Sequence, residues 1–443
     1  MPPPPPETAD LSPWAELPFT HGLPSPYYNP SHHHLRTALR TYINTHILPH
    51  QLTWETAGCA PRSEALRWAH SGFAFLDVPA QYRPPHIPLP AGIPLEDLDV
   101  FHMLIMTDET SRVEGGVMTA LSGASIIGLP PIIHHGTAAQ KAAWLPRLFT
   151  LETSFALAIT EPTHGSDVAN LLTAATLTPD RKHYLVNGTK KWITGTPSAS
   201  HFTTAVRTGP PSSGAAGLSV LVIPKDSAGL TTQRIPNSGH NAGGASLLDF
   251  EDVLVSAENL LGKEGEGFKI IMKNFNRERF VMAVACNRKS RTCLSHALRY
   301  AHERETFGKP LIANQIITAK FATLARYIES HWAWLESLAY AVQSSPLQWQ
   351  DPAIASACAL AKVHGGRILE LAVREAQQVL GGKGYQRGEG TGGVVEQISR
   401  DLRMFVVGGG SEEVLGELGV RMEVAGARAR GWDDDKNAGR AKL

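Results

Sequence analysis

The sequence carries no surplus of either charge: 41 lysines and arginines are balanced by 41 aspartates and glutamates. Nothing in that balance draws the chain to nucleic acid or to an anionic membrane, so a DNA-binding function is not expected. Cysteine is scarce as well. Cys59, Cys286, Cys293 and Cys358 are scattered over 443 residues without a CxxC pair, which excludes a disulfide framework and a cysteine-based zinc site. They are expected to be reduced and mostly core filler. No apolar run reaches the ~20 residues that a membrane-spanning helix needs. There is no internal repeat, and no GxGxxG follows a strand-like run, so neither a solenoid nor a Rossmann dinucleotide site has support. The proline-rich start, Met1 to Pro13, has neither the basic and apolar regions of a secretory signal nor an arginine-rich amphipathic presequence.

What is present is a chain that is 42% hydrophobic and long enough for two or three packed units. After an extension over 1–30, residues 31–154 show helical spacing, as in Leu35, Leu39, Tyr42, Ile43 and Ile47, interrupted by a proline-rich connection at Pro84 to Pro94. From 155 to 262 the texture becomes β-branched runs broken by glycine, proline and asparagine. Tyr184–Val186 and Lys191–Thr194 read as two strands around an Asn187-Gly188 hairpin turn, with further strands at His201–Thr208 and Leu218–Ile223. Helical periodicity returns over 263–430, with a glycine-rich break at Gly381 to Gly393, and residues 431–443 form a polar tail. Helices, a β unit and helices again predict an α+β protein whose cleft lies where the β unit meets a helical body.

Several segments carry chemistry. In Ala158-Ile-Thr-Glu-Pro-Thr-His-Gly-Ser-Asp167, Thr160, Gly165 and Ser166 suit a loop that brings amides and hydroxyls close to a flat ring or a phosphate. The plain alternative is a turn. In Lys190-Lys-Trp-Ile-Thr194, strand alternation puts Trp192 and Thr194 on one face, where they pack against a cofactor or fill the core. His134, His135 and His164 have no partner at metal-ligand spacing and read as solvated or turn residues; no metal is expected.

Taken together, the TEPxxGSD loop, the NGxKxWIT segment, Glu303-Arg-Glu-Thr-Phe-Gly308 and Gln378-Val-Leu-Gly-Gly-Lys-Gly384 resemble the acyl-CoA dehydrogenase family in order and spacing, as does Gly136-Thr-Ala-Ala-Gln-Lys141 before Leu145-Pro146. The match covers roughly residues 100 to 420. The resemblance implies an N-terminal α-helical domain, a middle β-barrel or sandwich and a C-terminal four-helix bundle, with FAD between the last two. It implies that Thr160 hydrogen-bonds the flavin, that Ser166 meets the pyrophosphate, that Gly165 is among the cofactor-binding residues, and that Trp192 and Thr194 line another ring edge. Arg304, Thr306, Phe307, Gln315, Gln378 and Gly382 would reach the FAD of a neighbouring subunit, Arg304 as a cation for its pyrophosphate. A homodimer or homotetramer is therefore expected. Ser411 and Glu413 join the cofactor side by the same resemblance.

The chemistry such a family performs needs a carboxylate to take the α-proton of a thioester as hydride leaves the β-carbon. In many members the glutamate follows an Arg-Asp pair in a loop. Here that stretch is Arg400-Asp-Leu-Arg-Met-Phe-Val-Val-Gly-Gly-Gly-Ser-Glu413, and the matching position is Gly409. A second pattern, resembling isovaleryl-CoA and long-chain dehydrogenases, takes the base from a helix just before an arginine, and this chain has Phe275-Asn-Arg-Glu-Arg279. Glu278 shares a helical face with Ile271, Phe275, Met282 and Cys286, an apolar stripe that would desolvate a carboxylate and raise its pKa. The alternative is a salt bridge to Arg277, Arg279 or Arg304. The amide of Gly409 is expected to bind the thioester oxygen, and glycine there leaves room for the acyl chain. Phe275, Arg279 and Ser166 would contact the substrate, Arg279 on the CoA side. Glu412 and Glu413 are expected to be structural, capping the next helix.

These expectations make the chain an FAD-dependent acyl-CoA dehydrogenase whose electrons pass to an electron-transfer flavoprotein or, in an oxidase, to O2. A nitroalkane oxidase-like or oxygenating enzyme and a non-enzymatic flavin scaffold are the competing readings. The ending Ala441-Lys442-Leu443 is a variant of the Ser-Lys-Leu peroxisomal address, which predicts an import receptor as partner and a peroxisomal location.

Overall fold

The structure, a computed structural model, describes residues 10–388 and 390–432. The address at 441–443 lies outside the described residues. Helices α1 (Pro30–His46), α2 (Gln51–Ala57), α3 (Arg62–Ala69), α4 (Val100–Thr110), α5 (Val117–Ser122), α6 (Ser125–Gly128), α7 (Pro130–His135) and α8 (Ala138–Trp144) form the first unit. Their starts follow local chemistry. Asn29 caps α1 with Pro30 at its first position, and Asp99 caps α4. Thr137 and Gln140 make a reciprocal capping box on α8. The predicted spacing on α1 holds, since Leu35, Leu39 and Ile43 are fully buried.

The stretch before α1 is packed into this unit. Leu17 and Phe19 join the core of α1 and α4. Buried Glu16 pairs with Arg36 and Arg40, and the Arg288 guanidinium donates to Ala15 O at 2.8 Å. The cations around Glu16 hold its carboxyl down at about 2 although burial alone would raise it.

The middle unit is one sheet. It contains β1 (Phe155–Ala158), β2 (Ala174–Leu177), β3 (His183–Ile193), β4 (His201–Arg207), β5 (Leu218–Pro224), β6 (Leu230–Arg234), β7 (Ser246–Ser256) and β8 (Leu260–Leu261). Its order is β6-β7-β3-β2-β4-β5-β8, with β1 pairing parallel to β4. The expected Asn187-Gly188 hairpin is not formed. β3 runs straight through it, because β7 offers a partner along its whole length, and Gly188 (φ +142°) marks an irregularity in that register. Asn187 spends its side chain across the ladder on Asp252.

Beyond the sheet lie α9 (Gly267–Glu303), the short ribbon β9 (Glu305–Thr306) and β10 (Lys309–Pro310), then α10 (Gln315–Ser344), α11 (Pro352–Leu380), α12 (Gly393–Val407) and α13 (Glu412–Ala429). α9 packs against α11, α10 and α4, so one long helix touches both helical units. Cys286, Cys293 and Cys358 are buried thiols in these helices, Cys59 is exposed, and all four are free. No described helix is long and apolar enough to cross a membrane.

Candidate active site

Glu278 lies in the N-terminal third of α9, on the stripe formed by Ile271, Phe275, Met282 and Cys286. None of the arginines considered as its partner takes it. Arg277 turns away to Asp77 (2.7 and 2.8 Å), and Arg279 gives its Nε to Gly409 O (3.2 Å). Arg304 stands at the far end of the helix. Glu278 Oε2 is closed off from water and has no hydrogen-bond partner. Burial pushes its carboxyl up to about 7, with the charges of Arg279 and Lys362 holding it back.

The segment from Gly408 to Gly410 folds against this helix face. Gly409 has φ +67°, and a methyl group added to it would stand 3.0 Å from Met282 Sδ and 3.9 Å from Arg279 Cγ. A backbone in this region suits glycine, so the position vacated by the loop carboxylate also has a conformation that other residues adopt at a cost. With the cofactor and reaction that the resemblance implies, Gly409→Ala is expected to retain FAD while lowering the rate of flavin reduction by about tenfold to a hundredfold, since a misplacement near 1 Å costs that much. Stopped-flow reduction of the two proteins at equal flavin content checks it.

Thr160 is held from the backbone: Lys191 N donates to Thr160 O at 2.9 Å. Behind it, fully buried Lys190 donates to Ile159 O (2.8 Å) and Glu161 Oε1 (2.9 Å), while Glu161 accepts from the amides of Leu172 and Thr173. This pair ties both ends of the loop carrying the exposed Gly165 and Ser166. A side chain added at Gly165 would meet nothing within 4 Å. The expected strand face shared by Trp192 and Thr194 is not formed. Trp192 sits at φ +60° in a break of register between Lys190 and Ile193, and Thr194 lies past the strand in a turn. Trp192 is left 48% exposed, with the Lys191 ammonium over its ring at 4.7 Å from the centroid.

Arg304, Thr306, Phe307, Gln315, Gln378 and Gly382 gather where α9 ends, α10 begins and α11 ends. Phe307 is fully exposed at the tip of the β9–β10 ribbon with φ +50°. Arg304, Gln315 and Gln378 are exposed, and Arg304 has no carboxylate partner among the described residues. No hydrogen bond or ion pair joins this group to the Thr160 loop within the described chain. Ser411 precedes α13 without a side-chain cap bond. Glu412 and Glu413 sit in the first turn and do not cap it; Glu412 pairs instead with Arg367 of α11 (2.9 Å).

His134 and His135 belong to the last turn of α7 and not to a loop. One cluster escaped sequence reasoning: His32 Nε2, Asp99 Oδ1 and His102 Nδ1 lie within 4.8 Å of one another. Its geometry is that of two capping boxes set face to face, Asn29 N donating to His32 Nδ1 and Asp99 N to His102 Nδ1. Each ring lone pair is thereby engaged in holding a helix start.

The fold thus places a half-buried carboxyl, its Oε2 closed off from water, on a helix that touches both helical units, with the free Gly409 amide in the loop packed against that helix, an arrangement suited to moving a proton. Three family models match in sequence: the acyl-CoA dehydrogenase N-terminal domain over residues 29–152, the middle domain over 156–253 and the C-terminal domain over 265–422. The chain belongs to the acyl-CoA dehydrogenase family. It is 41% identical over 418 residues to the acyl-CoA dehydrogenase AFT10-1 of Alternaria alternata, covering 93% of this chain and 95% of the relative. It is 31% identical over 316 residues to the mitochondrial isovaleryl-CoA dehydrogenase of Arabidopsis thaliana, covering 71% and 74%. The solved acyl-CoA dehydrogenase of Bacillus anthracis complexed with FAD is 25% identical, with a TM-score of 0.78 over 91% of this chain and 68% of that one.

FAD is the cofactor of this family. The residues present fit it: Trp192 offers a half-exposed ring, Gly165 and Gly382 leave open space, and Arg304 is an unpaired cation suited to a pyrophosphate. Lys362 and the Glu161–Lys190 pair were not foreseen. A lone lysine in Ala359-Leu-Ala-Lys362-Val was the only available signal, and such a residue more often snorkels to solvent.

Proposed function

We propose that the chain converts an acyl-CoA thioester to the trans-2-enoyl-CoA, with Glu278 as the base. The observation that carries this reading is the unpartnered Oε2 of Glu278 on an apolar helix face, beside a loop whose Gly409 amide has no acceptor among the described residues. Bound FAD supplies the acceptor for the hydride. Glu278 takes the α-proton, and the closing-off of its Oε2 from water keeps it basic enough near neutral pH to do so. The Gly409 N–H donates to the thioester oxygen as enolate character develops. Phe275 and Met282 wall the acyl group, Arg279 anchors the loop, and Ser166 stands by the pantetheine arm. Helix-borne bases of this kind favour a medium-to-long or branched acyl group, as the likeness to an isovaleryl-CoA dehydrogenase supports.

The exposed Phe307 and unpaired Arg304 support a second subunit that completes the FAD site, in a homodimer or homotetramer. The acceptor in this reading is an electron-transfer flavoprotein. Anaerobic addition of acyl-CoAs of graded length to the yellow protein should bleach the flavin with at least one of them. The bleached enzyme should then regain colour slowly in air. Rapid return would replace the flavoprotein by O2, and no bleaching with any thioester would overturn the desaturation. A peroxisomal site of action is part of the proposal, supported by Ala441-Lys442-Leu443. Deleting Leu443 should move a fluorescent fusion from puncta to the cytosol; unchanged puncta would remove the address.

A further inference from the structure

Lys362 sits on α11 with its side chain 1% exposed, yet it makes no ion pair among the described residues. A buried ammonium is costly to leave without a carboxylate. Its Nζ instead donates to two backbone carbonyls, Val406 O and Gly410 O, the latter at 2.8 Å. Val406 is in the last turn of α12, where a cation also meets the negative end of the helix. The two acceptors bracket the loop that faces Glu278.

The effect on the loop follows from counting its peptide groups. The carbonyl of Val406 goes to Lys362, that of Gly409 to Arg279 and that of Gly410 to Lys362. The amide of Gly408 donates to Met404 O. Between these pinned groups, the Gly408–Gly409 peptide has neither its N–H nor its C=O engaged by any described residue. With φ of +67° at Gly409 and +117° at Gly410, this unit is bowed out of the helical path while its flanks are tied down. It is a free amide held in place from both sides by buried cations.

We propose that Lys362 is a positioning residue for the reaction, clamping both ends of the 406–410 loop so that the Gly409 amide stands ready for the thioester oxygen, while its buried charge favours the ionised form of Glu278. The inference rests on the roles given above to Glu278 and Gly409. The charged and titratable groups around Glu278 are few. Arg279 and Cys286 come from α9, Cys358 and Lys362 from α11, and Glu412 at the start of α13 acts on Lys362; the glycine loop contributes none. Burial depresses the Lys362 ammonium to about 8, above the value of about 7 for Glu278, so most of its charge is still present at the Glu278 midpoint and is lost just above it.

The test uses FAD-loaded enzyme and a 3-thia-acyl-CoA, in which sulfur replaces the β-carbon and no hydride can leave. Deprotonation at the α-carbon by Glu278 then gives a long-wavelength band with oxidised flavin, and the pH at which it appears is recorded. In Lys362→Met the band should weaken about tenfold or more and its midpoint move to higher pH by roughly one unit, as expected when a nearby cation is lost. Lys362→Gln keeps an amide donor for the carbonyls but no charge. It should recover part of the intensity and keep the shifted midpoint, and it carries the test alone should the methionine variant fail to hold FAD. A midpoint unchanged in Lys362→Gln, or a band as strong as wild type in Lys362→Met, would overturn the proposal. No band in the wild-type enzyme at any chain length or pH overturns the assignment of Glu278 instead.

Discussion

Glu278→Gln should leave FAD bound and slow flavin reduction by acyl-CoA by about 10²- to 10⁴-fold, the usual worth of a positioned general base. The amide has nearly the same shape, so Phe275, Met282 and the glycine loop keep their places. The stability of the variant moves the opposite way. In the folded chain the Glu278 carboxyl is raised from 4.5 to about 7, so between those values the folded state binds more proton than the unfolded one. Stability contributed by the neutral carboxyl is present below about pH 4.5 and is lost as the pH rises to about 7. A neutral glutamine avoids that loss, and the variant should gain on the order of 1 to 3 kcal/mol relative to wild type at pH 8, with little difference at pH 4. Chemical denaturation at the two pH values, beside single-turnover reduction at pH 8, checks both parts. Full activity in this variant would remove Glu278 as base, and a stability loss at pH 8 would show that its carboxylate is paired.

Arg304→Ala should weaken FAD retention by about tenfold to a hundredfold, the range for a hydrogen bond to a charged group, and should shift the protein toward smaller species. The reason is that Arg304 has nothing to lose within its own chain. It is exposed, has no carboxylate partner among the described residues and stands next to the fully exposed Phe307. A residue with only a solvent role would leave both readouts unchanged. Flavin content after gel filtration, together with molar mass by light scattering, separates the outcomes.

Much of this was legible in one dimension. The period of apolar residues located α1 and the long helices, because burial of one face repeats at fixed spacing. Glu278 could be picked out because the helix stripe around it is itself local. Other readings failed for identifiable reasons. Asn187-Gly188 has the composition of a hairpin turn, but pairing with the whole of β7 outweighed that preference, and the turn between β2 and β3 formed near Arg181 (φ +57°) instead. Strand alternation was extended through Trp192 into Thr194, where a residue at φ +60° breaks it.

The sequence by itself determined the order of helical, β and helical units, the absence of a carboxylate at position 409 and its presence at 278, since periodicity and motif depend on near neighbours along the chain. Tertiary structure alone decided which charges are paired. Arg277 leaves for Asp77 on the first unit, Arg279 for the carbonyl of Gly409, and Lys362 of α11 for Val406 and Gly410, and together these choices leave Glu278 without a partner. Each depends on segments far apart in the chain being packed side by side, and on burial making every unpaired group costly enough to select its neighbour.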